Sequence, residues 1–317
     1  MSKLKVTSSP HIHDGRTAKS IMRDVVIALV PVIIAASIIF GPRALLVIAV
    51  TTAASVLSEY FCCRILKKPN STNDLTAVIT GILLALNLPV SIPLWMAALG
   101  ACIAIVVIKQ MFGGVGQNFV NPAIAGRIVL LVSFASFMNS WSEPFYYLGG
   151  TVDAVSSATP LSAMESGGTL PALSNMFFGV RMGSLGETCA LAIIVGGVYL
   201  VIRKVITPVI PLCFIGSTVL LVWLMGGDPL YHLLGGGLLL GAIFMATDYT
   251  TSPVTRKGKV IFGIGCGIIT AVIRMYAALP EGVSYAILLM NILVPHIETL
   301  TAAKTFGDKG VHQSEKE

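Results

Sequence analysis

Apolar positions in this chain fall into long runs, and the run lengths are those a lipid bilayer dictates. A helix needs about 20 mostly apolar residues to cross the hydrocarbon core. Measured against that length, ten stretches are candidate spans: 24–40, 44–63, 75–88, 92–108, 123–137, 187–202, 206–225, 230–247, 260–278 and 284–303. The third and fifth are short, and several contain Gly or Pro. Membranes tolerate such segments where neighbours re-satisfy the freed backbone groups, often around a binding site. Polar positions collect in short connections, with one exception at 138–186. A connection this long is usually functional or disordered. Trp141, Phe145, Tyr146, Tyr147, Phe177 and Phe178 make it too aromatic for a disordered tail, so it is expected to fold back on the membrane surface.

The pattern thus predicts an all-α integral membrane protein. Its parts are an N-terminal segment (1–23), five helices (24–137), the long loop (138–186), five more helices (187–303) and a tail (304–317). An odd number of spans in each half would insert two related halves with opposite orientation, as an inverted repeat. The text echoes this weakly: GILLAL at 81–86 resembles GLLLGA at 237–242, and GGVG at 113–116 resembles EGVS at 281–284.

Composition agrees. Only 11% of the 317 residues are charged and 55% are hydrophobic, against about 25% charged in soluble domains. The mean hydropathy is +0.85. A soluble enzyme is excluded. The net charge of +6 reads as cationic loops on one membrane face, so no nucleic-acid partner is inferred. With the N-terminus inside and the spans alternating, eighteen of the 21 Lys and Arg residues fall inside. Arg43, Arg181 and Arg274 fall outside, which predicts two cytoplasmic termini and an extracytoplasmic long loop. The sequence starts without a cleavable signal pattern. The six cysteines form no C-x-x-C pair and no cluster with histidine, so neither a metal site nor an iron–sulfur cluster is expected. Asp24, Glu59, Asp74 and Glu298 sit near span ends and read as surface charges.

The chemistry concentrates in the long loop, at DAVSSATPL (153–161). One reading is a helix start, with Thr159 as N-cap and Pro160 at the first helical position. The other is a phosphate ester on the Thr159 hydroxyl, exposed by the small residues Ser156, Ser157 and Ala158 and positioned by Asp153. GSLGET (183–188) reads as a turn and helix N-cap, or as backbone N–H groups from Gly183 to Glu187 and Thr188 suited to a flavin phosphate or ring carbonyl. Arg181 is the only cation in the loop and the candidate partner for such a phosphodiester. Asn118, Asn121 and Asp248 read as caps and turns, or as the lining of a cavity for a hard cation or a flavin ring.

The loop motif resembles the D-x-x-S-G-A-T signature at which flavin transferases attach FMN to threonine, with Ser157 in place of the glycine. Six further segments match one family in order: SPHI (9–12), LTAVITGILLAL (75–86), GGVGQNFVNPA (113–123), GSLGET (183–188), FMATDYTTSP (244–253) and LLMNILVP (288–295). From about Ser9 to Glu298 the chain resembles one family of membrane proteins. Its two branches are the D subunits of Rnf-type ion-translocating ferredoxin:NAD oxidoreductases and the B subunits of sodium-pumping NADH:quinone oxidoreductases. The longer N-terminal extension of the quinone-reducing branch is not seen in this sequence, which favours the Rnf branch.

The resemblance implies a urea-transporter-like fold of two inverted five-helix repeats and a covalent FMN on Thr159. It also implies a second, non-covalent flavin (riboflavin), for which no motif gives a place. It further implies partnership with the other Rnf subunits, A, B, C, E and the FMN-bearing G. Electrons would pass from the extracytoplasmic FMN of RnfG through this chain toward the cytoplasmic NADH side, coupled to Na+ or H+ movement. A flavin transferase would act in maturation, in a prokaryotic plasma membrane. The rival reading, a passive urea-transporter-like channel, has no use for the long loop and its threonine motif.

Overall fold

The computed structural model describes residues 17–68, 71–148, 159–166, 168, 170–277 and 282–302. Every regular element among them is helical. In chain order the α-helices are α1 (Ala18–Phe40), α2 (Pro42–Ile65), α3 (Thr76–Leu86), α4 (Leu94–Cys102), α5 (Pro122–Ser133), α6 (Ala135–Met138), α7 (Pro160–Ser166), α8 (Leu173–Phe178), α9 (Ala190–Ile202), α10 (Val209–Leu224), α11 (Pro229–Leu234), α12 (Leu238–Leu240), α13 (Arg256–Tyr276) and α14 (Val283–Thr301). Two π-helical stretches, Ile103–Gln110 and Gly241–Met245, continue α4 and α12.

Four helices, α1, α2, α13 and α14, are long and apolar enough to cross a membrane. Five shorter apolar helices accompany them: α3, α4 with its π continuation, α5, α9 and α10. The candidate span at 230–247 is not one helix. It breaks at Gly235–Gly237, where Gly236 and Gly237 take φ of 60° and 67°, values a residue with a Cβ rarely adopts. A buried arginine from α13 serves the carbonyls freed there: Arg274 donates to His232 O at 2.6 Å, Gly235 O at 3.1 Å and Gly236 O at 3.0 Å. Buried non-helical backbone persists only where protein supplies such partners.

Local signals set the other ends. Thr17 and Ser20 form a reciprocal capping box at the start of α1. Gly41, with φ of 73°, and Pro42 at the first position of α2 turn the chain between the two longest helices. Asn121 caps α5 by accepting from Ala123 N and Ile124 N, so its cap reading holds. At the end of α3, Asn87 donates to Leu83 O at 2.7 Å and accepts from Arg127 Nη1 at 2.9 Å. Arg127 also reaches Ser284 Oγ at 3.3 Å and is buried. It therefore ties α3, α5 and α14 together inside the fold, and it is not the loop cation that the inside count made it.

The helices approach closely where glycine replaces a side chain. A Cβ on Gly196 of α9 would overlap the Ala28 carbonyl of α1 and come within 2.9 Å of Phe244. Small residues at such crossings let backbones meet in lipid. Gly196→Ala is expected to cost about 1–3 kcal/mol through overpacking. The measurement is thermal unfolding in detergent; an unchanged midpoint would refute the close α1–α9 contact.

Candidate functional site

Polar chemistry gathers at the two ends of the helix bundle. At the end where α1 finishes, the long loop returns to the fold: Phe145 N donates to Ile39 O at 2.8 Å and Tyr147 donates to Ile38 O at 2.6 Å. Thr159 lies at this end, just before α7. Its Oγ accepts weakly from Ser162 N at 3.4 Å, and its carbonyl accepts from Ala163 N at 2.8 Å. Thr159 thus occupies the N-cap place, Pro160 opens the helix as the sequence suggested, and the residue is 8% exposed. Asp153, Ser156, Ser157 and Ala158 lie outside the described residues.

Two residues on, Leu161 packs against Gly235 and Gly236 at the break before α12. The same segment is gripped from the other side by Arg181, which donates from Nη2 to Leu234 O at 2.6 Å and to Glu187 O at 2.6 Å, and from Nε to Thr188 O at 3.3 Å. Arg181 is 3% exposed. Burial disfavours its charged form, and the neighbouring Glu187 carboxylate pulls the other way.

GSLGET does not open a helix, as a cap reading would have it; α9 begins later, at Ala190. The segment is a buried turn plugged onto the end of α3, with Leu185 N donating to Leu88 O at 3.1 Å and Gly186 N to Leu86 O at 2.7 Å. The reason lies in α3: where that helix stops, the carbonyls at its end need donors, and this distant turn supplies them. Gly183 lies against Glu187 Oε1 with no room for a Cβ.

Around this turn, five buried side-chain atoms have no hydrogen-bond partner: Arg181 Nη1, Ser184 Oγ, Glu187 Oε2, Thr188 Oγ1 and His232 Nδ1. Buried polar atoms are nearly always bonded. A cation, an imidazole and two hydroxyls suit a polar, partly anionic ligand, while the Glu187 carboxylate only accepts and answers the Arg181 charge. Sequence reasoning singled out Arg181, Glu187 and Thr188, which the structure brings together here. It missed Ser184, His232 and Arg274, although the Gly235–Gly237 triplet beside His232 was a usable signal.

At the opposite end, Asn118, Asn121 and Asp248 come together, as their second reading required. They line a cavity of about 850 Å³, open mouth included, with Thr76, Lys109 and Phe244 among its walls. Asp248 accepts from Thr250 Oγ1 at 3.0 Å and Thr251 Oγ1 at 3.1 Å. Nearby, two charges read as surface groups are not. Glu59 is fully buried and paired with Lys109 at 2.8 Å, because α2 and α4 pack along their length. Asp24 is buried as well and meets the partly exposed Arg203 at 3.2 Å. Among the described residues no cluster of His, Cys, Asp and Glu is placed to hold a metal ion.

The comparisons with known proteins agree with one another. A family model described as the NQR2, RnfD, RnfE family matches residues 5–307. The D subunit of a Na(+)-translocating ferredoxin:NAD(+) oxidoreductase complex from Acetobacterium woodii is 44% identical, over 96% of this chain and 95% of its own length. A proton-translocating counterpart from Clostridium ljungdahlii is 40% identical, with 96% of each chain covered. The D subunit of an ion-translocating oxidoreductase complex from Yersinia pseudotuberculosis is 34% identical, with 98% and 100% covered. With the match running through both ends of the bundle, the chain belongs to the NQR2, RnfD, RnfE family.

Proposed function

We propose that the chain is the membrane flavoprotein subunit of an Rnf-type complex, carrying electrons between ferredoxin and NAD through an FMN esterified to Thr159 and coupled to Na+ or H+ translocation. In this reading its helices form two inverted five-helix repeats with both termini cytoplasmic. The Thr159 end faces outward, and the A, B, C, E and G subunits of the complex are its neighbours.

The observation that carries the reading is the set of five unpartnered buried polar atoms beside the segment on which Leu161 packs. Arg181 Nη1 has an N–H direction to spare for a phosphodiester oxygen, since its other nitrogens are held by carbonyls. Ser184, Thr188 and His232 offer further polar atoms, and the buried turn keeps water from them. When bound, a flavin supplies one-electron and two-electron transfer; the protein supplies position, polarity and dryness. No residue of this chain is assigned a catalytic proton transfer, and the Thr159 hydroxyl is consumed as a tether.

The cavity at the opposite end suits the second, non-covalent flavin. Asn118, Asn121, Thr247 and Asp248 give it a mixed hydrogen-bonding edge, and Leu83 and Phe244 an apolar wall.

Mass spectrometry of the peptide spanning residue 159, from the chain purified with its flavin transferase, tests the reading. The expected result is a mass increase of one FMN less one water on Thr159. An unmodified Thr159 in active complex would refute it.

A further inference from the structure

Lys109 stands at the junction of two features described separately above. It lines the cavity that holds Asn118 and Asp248, and it is 2% exposed. Its Nζ donates to Glu59 Oε1 at 2.8 Å and to Thr76 Oγ1 at 2.7 Å. Glu59 Oε1 also accepts from Ser71 Oγ at 2.6 Å and Gln110 Nε2 at 3.1 Å, while Oε2 has no partner. All the donors converge on one oxygen, so the carboxylate anchors the ammonium without enclosing it. The π-helical stretch Ile103–Gln110 makes this possible, because its wider turn lets the consecutive residues Lys109 and Gln110 both reach Glu59.

A buried ion pair of this kind is weak evidence for stability, since desolvation offsets most of the attraction. Its effect on a neighbour is larger. A fixed, buried cation on the wall of a cavity acts on any ring inside it at an effective dielectric below that of water.

We infer that Lys109 is a positioning residue whose charge, held on the cavity wall by Glu59, sets the reduction potential of the redox ring bound there. The inference rests on the flavin reading of this cavity. Reduction adds negative charge to a flavin ring, so a nearby ammonium favours the reduced form and raises the potential. Glu59 opposes that field and keeps the rise moderate. The two residues therefore act with opposite sign, which a purely structural role would not produce.

The experiment is a potentiometric titration of flavin absorbance in the full chain, purified in detergent and carrying Thr159→Ala so that only acid-extractable flavin absorbs. Relative to that parent, Lys109→Met is expected to shift the midpoint negative and Glu59→Gln to shift it positive. The double variant is expected near the parent value, and Lys109→Arg closer to the parent than Lys109→Met. Should Lys109→Met fail to fold, the positive shift in Glu59→Gln still decides: its absence overturns the inference. Bound flavin with one common midpoint in all variants overturns the role of Lys109 and leaves the flavin reading standing. A parent without acid-extractable flavin overturns both.

Discussion

Replacing Thr159 by alanine is expected to remove covalent flavin completely, so that the denatured chain runs as a non-fluorescent band beside a fluorescent wild type. Alanine has no oxygen with which to form the ester, so the effect is all or none. The substitution spares the fold. The cap bonds of Thr159 are long, at 3.4 Å, and losing an N-cap of this kind costs about 1 kcal/mol. In-gel fluorescence therefore reads attachment and not misfolding. Thr159→Ser keeps a hydroxyl at the same place and is expected to keep the band. Fluorescence surviving in Thr159→Ala would place the tether on another residue.

The second large effect is expected at Arg181. Arg181→Met leaves the carbonyls of Glu187, Thr188 and Leu234 without their charged donor, and the buried Glu187 without its neighbouring cation. Stripping one member from a buried set of charges costs about 3–5 kcal/mol. The buried turn at 183–188 and the break before α12 are both held by this side chain, so both are expected to loosen. Thermal unfolding in detergent should fall well below wild type, and flavin attachment at Thr159 should fall with it. Arg181→Lys is expected to rescue little, because one ammonium cannot reproduce the planar fork that reaches three carbonyls from two sides. Wild-type stability in Arg181→Met would show that the clamp carries no weight.

The bundle was legible in the sequence wherever one apolar run makes one helix, as in α1, α2, α13 and α14. It was less legible where helices stop inside the fold, because the partners that permit a stop lie far away in the chain. The run at 230–247 is mostly apolar; its Gly235–Gly237 triplet marks a weak point, but the break is held by Arg274, some forty residues later. Glu59 looked like a surface charge for the same reason, since Lys109 lies 50 residues away and only the packing of α2 on α4 brings it close. Arg181, Glu187 and Thr188 were singled out from local chemistry, and of the reading of GSLGET as a turn and helix cap only the turn holds. Nothing within those six residues tells of the unsatisfied carbonyls of Leu86 and Leu88.

The π-helical end of α4 carries a consequence for the length of the chain. Thickness alone would let a crossing segment gain or lose a residue with only a small change of tilt. Here a single deletion between residues 103 and 110 would restore ordinary winding and remove the wide turn from which Lys109 and Gln110 both reach Glu59. The two side chains could then no longer meet on one carboxylate. Residue spacing in this stretch is dictated by where one charge must point, and not by the distance to be crossed.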